Sequence, residues 1–343
     1  MRCSVIILNW NGEKWLQKFL PSVVSTTKGE GIEVVVADNG STDSSLQVLQ
    51  QFPSVRVIRF DKNFGFAEGY NRAINQTDAE YTVLLNSDVE TTSEWLTSLL
   101  NYMDSHQEVA ACQPKILSWK SKENLTSQTQ QTSVTFEHAG AAGGHMDILG
   151  YPYCRGRILG YAEEDHGQYD TVEDCFWATG ACLLIRTELY KQCGGLDAGF
   201  FAHMEEIDLC WRLQSRGWKV ACVPQSVVYH VGGGALDYEN PRKTYLNFRN
   251  NLLMLYKNIP LRCLIWLMPM RFLLDYVALV QSLITGKTQN AKAIINARID
   301  YHKMKPQYRA KRRENLRLAR VPIPDSISKR SIIFDYDLLG KRK

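Results

Sequence analysis

Short apolar runs alternate with amphipathic stretches over the first hundred residues, and this alternation limits the fold more than any other feature. The runs lie at 4–8, 33–37, 55–59 and 81–85. Helical periodicity fills the intervals at 13–25, around Leu46, Val48 and Leu49, and over 66–75. In the first interval Trp15, Leu16, Phe19 and Leu20 form one apolar stripe. Strand–helix alternation predicts a parallel α/β sheet. Runs that are apolar throughout suit strands buried on both faces. Ligands of such sheets sit beyond the carboxyl ends of the strands. Asn9, Asp38 and Asp88 each fall just past a predicted strand end. The stretch VLLNSDVETT, 83–92, turns from Leu85 to Asn86, Ser87 and Asp88 in one step. One aspartate there means only a turn. Three polar strand ends along one edge describe a site.

Beyond this region the pattern loosens. Residues 118–135 are polar and predict a loop or insertion, and 136–172 predict irregular chain with short strands. The apolar, small-residue run FWATGACLLI, 176–185, precedes a helix over 186–193 that Gly194-Gly195 should stop. A second helix over 205–216 ends at Gly217, and strands follow at 219–223 and 227–229, with His230 next and then Gly232-Gly233-Gly234. Residues 245–256 read as helix. Residues 261–284 are strongly apolar but contain Arg262, Arg271 and Asp275, with Pro269 expected to kink them. Arg271 at a bilayer centre would cost about 2.5–3.5 kcal/mol. A surface-lying amphipathic hairpin, or a helical pair packed on the body, is therefore expected instead of a spanning helix.

A chain of 343 residues is long enough for a substantial core. The apolar run at the N-terminus is about five residues, short of the seven to fifteen of a signal sequence, and reads as a first strand. Nine cysteines without a CxxC pair suit reduced thiols in a cytosol. Residues 287–343 hold sixteen Lys and Arg against five Asp and Glu, a charge of +11, which leaves −7 on the first 286. Such a tail needs a partner: anionic lipid, nucleic acid, or the acidic surface of its own body.

Three constellations carry chemistry. Asp88 and His230 offer hard oxygen and one imidazole, a set that suits Mg²⁺ or Mn²⁺ bridging to phosphate. Glu205, Glu206 and Asp208 crowd the first turn of a helix. The helix dipole accounts for one or two acids. Crowded carboxylates also raise one another's pKa, which suits a general base. KNFGFAEGYNRAI, 62–74, has glycines at 65 and 69 that allow close backbone approach, with an anion expected at the helix N-terminus. It is not the dinucleotide fingerprint GxGxxG.

The order of these pieces resembles the family 2 glycosyltransferases, and within them the bacterial rhamnosyltransferase-like branch. The matching stretches are VIILNWNG (5–12), VVVADNGSTD (34–43), NFGFAEGYNRAI (63–74), LLNSDV (84–89), ATGACLLIR (178–186), GGLDAGFFAHMEEIDLCWR (194–212) and VVYHVGGG (227–234), over the first two thirds of the chain. The resemblance implies a GT-A nucleotide-diphospho-sugar transferase fold, inverting transfer and a divalent metal, Mg²⁺ or Mn²⁺. It makes Asp38 the base-contacting aspartate, and Asn9 and Asn39 parts of nucleotide-binding turns, with Asn63, Gly65, Phe66, Asn86 and Ser87 on the donor side. Asp88 matches the last carboxylate of the DxD metal motif, here NxD because Asn86 stands first. His230 matches a second contact to metal or diphosphate. Glu206 stands where the family's catalytic aspartate does, with Glu205 as the alternative base. Trp177, Thr179 and Gly180 are acceptor-side candidates, and Arg249 and Asn250 are candidates to close over diphosphate or acceptor.

The implied organisation is a catalytic domain at 1–240, an apolar helical segment at 241–286 and a basic tail at 287–343. The partners expected are a nucleotide-diphospho-sugar, a glycan or lipid-linked acceptor, and an anionic membrane surface at the cytoplasmic face. Nucleic acid is not expected, because KRRENLRLAR, 311–320, belongs to no recognised motif. A sugar-phosphate nucleotidyltransferase would carry a Gly-rich basic loop where this chain reads NWNGEKW. A non-catalytic scaffold would not need to retain Asp88, Glu206 and His230 together.

Overall fold

The first strand, β1 (Cys3–Asn9), lies between two parallel neighbours, β2 (Ile32–Asp38) and β4 (Tyr81–Leu85), and β3 (Arg56–Arg59) flanks β2. The computed structural model describes residues 1–126, 133–137, 140–158, 160–232 and 240–335. Helices α1 (Glu13–Thr26), α2 (Ser45–Leu49) and α3 (Gly65–Ile74) connect these strands. The sheet continues through β5 (Val89–Thr91), β6 (Val109–Ser118), β11 (Glu173–Asp174), β12 (Cys182–Arg186) and β13 (Lys219–His230), in the order β11-β13-β6-β12-β4-β1-β2-β3 with β5 on β13. Only β5, β11 and β12 run against the rest among the described residues. Side chains alternate between two cores. Ile6 and Leu84 pack with Ala67 and Tyr70 of α3, whereas Val5, Ile7, Val83 and Leu85 pack with Leu16 of α1 and Leu99 of α4 (Trp95–Ser105). That two-sided burial is why the strand runs are apolar throughout.

Several expectations change in detail. The two strands expected at 219–223 and 227–229 are one strand, β13, with an irregularity in its pairing to β6 between Val223 and Val227. The polar stretch after residue 118 begins as a helix, α5 (Trp119–Thr126), and residues 127–132 lie outside the described ones. A small antiparallel sheet follows, made of β7 (Gly144–Met146), β8 (Pro152–Cys154), β9 (Arg157–Ile158) and β10 (Tyr161–Ala162). Helices α6 (Thr187–Gln192) and α7 (Glu205–Ser215) precede β13.

The C-terminal third is helical: α8 (Pro241–Asn258), α9 (Leu261–Ile284), α10 (Thr288–Met304) and α11 (Arg309–Leu318). The hairpin expected at 261–284 is a single helix that continues through Pro269. Buried charges fasten α8 to the body. Lys257 reaches Asp197 at 2.6 Å and Asp208 at 2.7 Å, and Arg212 also pairs with Asp208. Asp208, read from the sequence with the acidic cluster, is therefore a docking residue. The described part of the basic region, up to residue 335, is folded as well, and part of its charge is paired: Lys311 with Asp197 and Arg298 with Asp275.

Candidate active site

The sheet order places a switch point at β1, because β2 and β3 extend to one side and β4 to the other. Parallel register sets Asn9 beside Asp38 at the strand ends. Asn9 Nδ2 donates to Asp38 Oδ1 at 3.2 Å and to Ser41 Oγ at 3.2 Å, and the Ser41 N–H donates to Asp38 Oδ2. Asn9 Oδ1 is buried without a partner, and a side chain at Gly12 would run into it with Ser87 Oγ close by. An unsatisfied buried carbonyl in a cradle kept open by glycine has the character of a binding position. Asn39 works one layer behind. Its amide donates to Asn63 Oδ1 and to the Gly65 carbonyl, and it accepts from the Phe64 N–H. Asn39 and Asn63 thus shape the turn into α3.

At the next strand end, antiparallel pairing of β13 with β5 sets His230 opposite Val89 and so beside Asp88. His230 Nε2 lies 3.1 Å from Asp88 Oδ1 and 3.4 Å from Asn86 Nδ2. Its Nδ1 lies 3.0 Å from Glu137 Oε2. Burial opposes charge on the ring, but the two carboxylates outweigh it and raise the imidazole pKa well above its usual value. A histidine with one nitrogen on a carboxylate and the other converging on a second carboxylate has the backing seen at metal-ligating imidazoles. Among the described residues no cluster of three or more His, Cys, Asp or Glu could hold a metal alone.

The acidic pair opens α7 from an unusual turn. Phe201, His203 and Met204 all have positive φ, at 66°, 70° and 73°. Non-glycine residues in that region store strain and need support from around them. Glu205 is buried, and Glu206 is partly exposed. Oε2 of each, and Nε2 of His203, are buried without hydrogen-bond partners. Burial, reinforced by Glu206, raises Glu205 well above the usual carboxylate range. Burial also raises Glu206, against backbone N–H groups that include Gly180. Desolvation holds His203 neutral, with its pKa down at about 4. Gly180 closes the geometry: a Cβ there would stand 3.0 Å from the Phe66 ring and 4.0 Å from Glu206 Oε1. The next residue, Ala181, accepts from the Asn86 N–H at 3.0 Å. The two residues leading into β12 therefore bridge the Asp88 strand end and the Glu205–Glu206 turn.

The family model described as glycosyl transferase family 2 matches residues 4–161. That stretch, a little under half of the chain, is similar to the family 2 glycosyltransferases. The N-acetylglucosaminyl-diphospho-decaprenol L-rhamnosyltransferase of Mycobacterium tuberculosis is 27% identical over 238 residues, covering 66% of this chain and 75% of its own. Two solved structures share the GT-A fold. TarS of S. aureus in complex with UDP-GlcNAc has a TM-score of 0.53 at 18% identity, covering 92% of this chain and 90% of its own. Mannosyltransferase PcManGT of Pyrobaculum calidifontis, in complex with GDP-Man and Mn²⁺, has 0.51 at 14%, covering 92% and 84%.

Within this glycosyltransferase several sequence candidates sit elsewhere than expected. Trp177 is buried against Gly144, and its indole N–H donates to the His145 carbonyl. Thr179 is buried too, its N–H on Gln113 Oε1 and its hydroxyl accepting from the Ala181 N–H. Of the three acceptor-side candidates only Gly180 meets Glu206. Arg249 and Asn250 are engaged with backbone carbonyls of the 199–203 turn. Asn250 donates to the carbonyls of Phe200, Ala202 and His203, while Arg249 donates to Asn250 Oδ1 and to the carbonyls of Gly199 and Phe200. They brace the strained turn from behind. The N-terminus of α3 is not an open anion site, because the Phe66 and Ala67 N–H groups donate to the Phe201 carbonyl. Gly65 is needed there: its φ is +80°, and a Cβ would lie 2.5 Å from the Phe201 ring. Gly233 and Gly234 lie outside the described residues. Sequence reasoning missed Glu137 and His203. Glu137 sits in an irregular stretch with no periodic signal, and His203 could be found only through the backbone strain.

Proposed function

We propose that this glycosyltransferase moves a hexose from a nucleotide-diphosphate donor to an acceptor hydroxyl in one inverting displacement, with Glu206 as the base. The observation that carries the proposal is the Glu205–Glu206 turn, where unpartnered buried carboxylate oxygens adjoin Gly180 and Phe66. Glu206 accepts the acceptor's proton while the new C–O bond forms and the sugar–phosphate bond breaks, releasing a nucleoside diphosphate. Its raised pKa strengthens it as a base near neutral pH. Glu205, more deeply buried, holds its neighbour in a poorly solvated setting. On the donor side Asp38 faces the nucleobase, with Asn9 and Ser87 in reach of the nucleotide. Asp88 and His230 would hold a divalent cation, Mg²⁺ or Mn²⁺, and Glu137 would orient the imidazole. Convergence of Oδ1 and Nε2, a hard oxygen beside one imidazole, fits that role. When bound, the cation would supply charge neutralisation for the leaving diphosphate.

The rhamnosyltransferase relative supports L-rhamnose as the sugar and a lipid-linked diphospho-glycan as the acceptor. Such an acceptor supports a peripheral position at the cytoplasmic face of a membrane. The test is donor binding, hydrolysis and transfer across a panel of nucleotide sugars, with Mg²⁺, Mn²⁺ or chelator. One donor should bind only with metal, and Asp88→Ala should abolish that binding. Glu206→Gln should keep binding and lose transfer. A folded protein that binds no nucleotide sugar would overturn the proposal.

A further inference from the structure

Helix α9 is built inside out. It is long and apolar enough to cross a membrane by length and composition. Yet its two central charges, Arg271 and Asp275, face the protein and are 2% and 4% exposed. Arg271 donates to Asn251 Oδ1 at 2.6 Å and to the Leu149 carbonyl at 3.1 Å, and Asp275 accepts from Arg298 at 3.0 Å. Large apolar side chains take the outer face, including Trp266 (81% exposed), Phe272, Leu273, Tyr276 and Ile284 (81%). An open groove of about 510 Å³ runs along its second half, between Tyr276 and Ile284. A soluble helix shows the opposite arrangement, and a contiguous exposed apolar face marks an interaction surface.

We infer that α9 lies flat in the interfacial layer of an anionic bilayer, with its outer face among the acyl chains and its charges fixed on the protein. Charge complementarity selects this occupant. From Leu261 to Arg298 the exposed charges are all cationic, namely Arg262, Lys287 and Lys292, and the sole carboxylate, Asp275, is buried. Two copies packed through this face would set like charges together, whereas anionic headgroups match them. A spanning orientation would pull Arg271 from Asn251 into hydrocarbon, so the helix lies along the surface. This deepens the peripheral position proposed above and shifts its basis from an electrostatic tail to a hydrophobic face.

The test is co-sedimentation of the full chain with phosphatidylcholine vesicles, with and without phosphatidylglycerol, at low salt and at about 1 M, where the screening length is about 3 Å. Trp266→Glu/Phe272→Glu is compared with native protein, and unchanged melting confirms that it folds. Native protein should bind the anionic vesicles and keep most of that binding at high salt, with blue-shifted tryptophan emission. The double variant should bind at least about tenfold more weakly. Three outcomes would overturn the inference: no vesicle binding, binding abolished by salt and indifferent to the double variant, or a native dimer that the double variant dissociates. No donor is present, so failure here leaves the transfer reaction untouched.

Discussion

Asn250 Nδ2 lies 2.8 Å from the carbonyl oxygen of His203, a residue held at a φ of +70° two positions before the Glu205–Glu206 pair. The same amide reaches the Ala202 carbonyl at 2.8 Å and the Phe200 carbonyl at 3.0 Å. One fully buried side chain thus supports a turn that no side-chain cap secures. Asn250→Ala removes the donor from the part-buried carbonyls of Ala202 and His203, while Phe200 keeps Arg249, at a cost of about 1–3 kcal/mol. It should lower kcat roughly 10²-fold, since displacement of a catalytic group by about 1 Å has that effect. Donor KM should hold nearly constant. Denaturant titration and steady-state kinetics read the two effects, and a change confined to KM would refute the positioning role.

The two glutamates should separate by substitution. Glu206→Gln is expected to lose about 10²–10⁴-fold in kcat, the usual contribution of a positioned base. The raised pKa of Glu206 has a definite sign: the base works only when deprotonated. Activity should therefore rise with pH through a midpoint above the ordinary glutamate value of about 4.3. Glu205 is likewise raised, so ionising it disfavours the fold. Relative to Glu205→Gln, the native protein should lose stability as pH climbs above the ordinary carboxylate range, as melting in a pH series would reveal.

Glu137 should matter to metal without touching it. Its carboxylate lies 3.0 Å from His230 Nδ1. Glu137→Gln is expected to weaken Mn²⁺ binding by roughly 10–100-fold while the fold survives. Calorimetric titration with Mn²⁺ measures this directly, and unchanged affinity would remove Glu137 from the metal site.

Asp197 anchors the helical third through Lys257 and Lys311, each at 2.6 Å. Burial pushes its pKa up, but the two ammonium groups prevail and depress it below the usual carboxylate value. A depressed acid stabilises the fold above its unfolded pKa, and that stability is lost as pH falls toward the folded value. Asp197→Asn should cost about 3–5 kcal/mol at neutral pH, as for breaking one partner of a buried pair. It should also flatten the decline in stability below about pH 4. Urea midpoints at neutral and acid pH would show both.

The parallel sheet was legible because its strands are buried on two faces and so carry unbroken apolar runs; β4 falls at Tyr81–Leu85, where it was expected. The polar strand ends at Asn9, Asp38 and Asp88 were legible for a related reason, since nothing in a core demands them. What the sequence concealed depends on long-range backbone contact. Trp177 is a plausible sugar platform until Gly144 is seen against its ring. Arg249 and Asn250 look like solvent-facing groups until the turn at 200–203 is found in front of them. Hydropathy places α9 but cannot tell that Arg271 and Asp275 turn inward, because that orientation depends on Asn251 and Arg298.

Asn250 and Asn251 are neighbours on α8, and they look in different directions. The first holds the turn before the base, and the second holds Arg271 of α9. Consecutive residues on a helix are separated by about 100°, so the two grips share one rotational phase. Inserting a single residue between them would turn one asparagine off its partner whichever grip was kept. Helix α9 therefore cannot be exchanged as a cassette with a junction at this point. A chimera that keeps activity would have to cut after Asn251 and bring a residue that answers its amide.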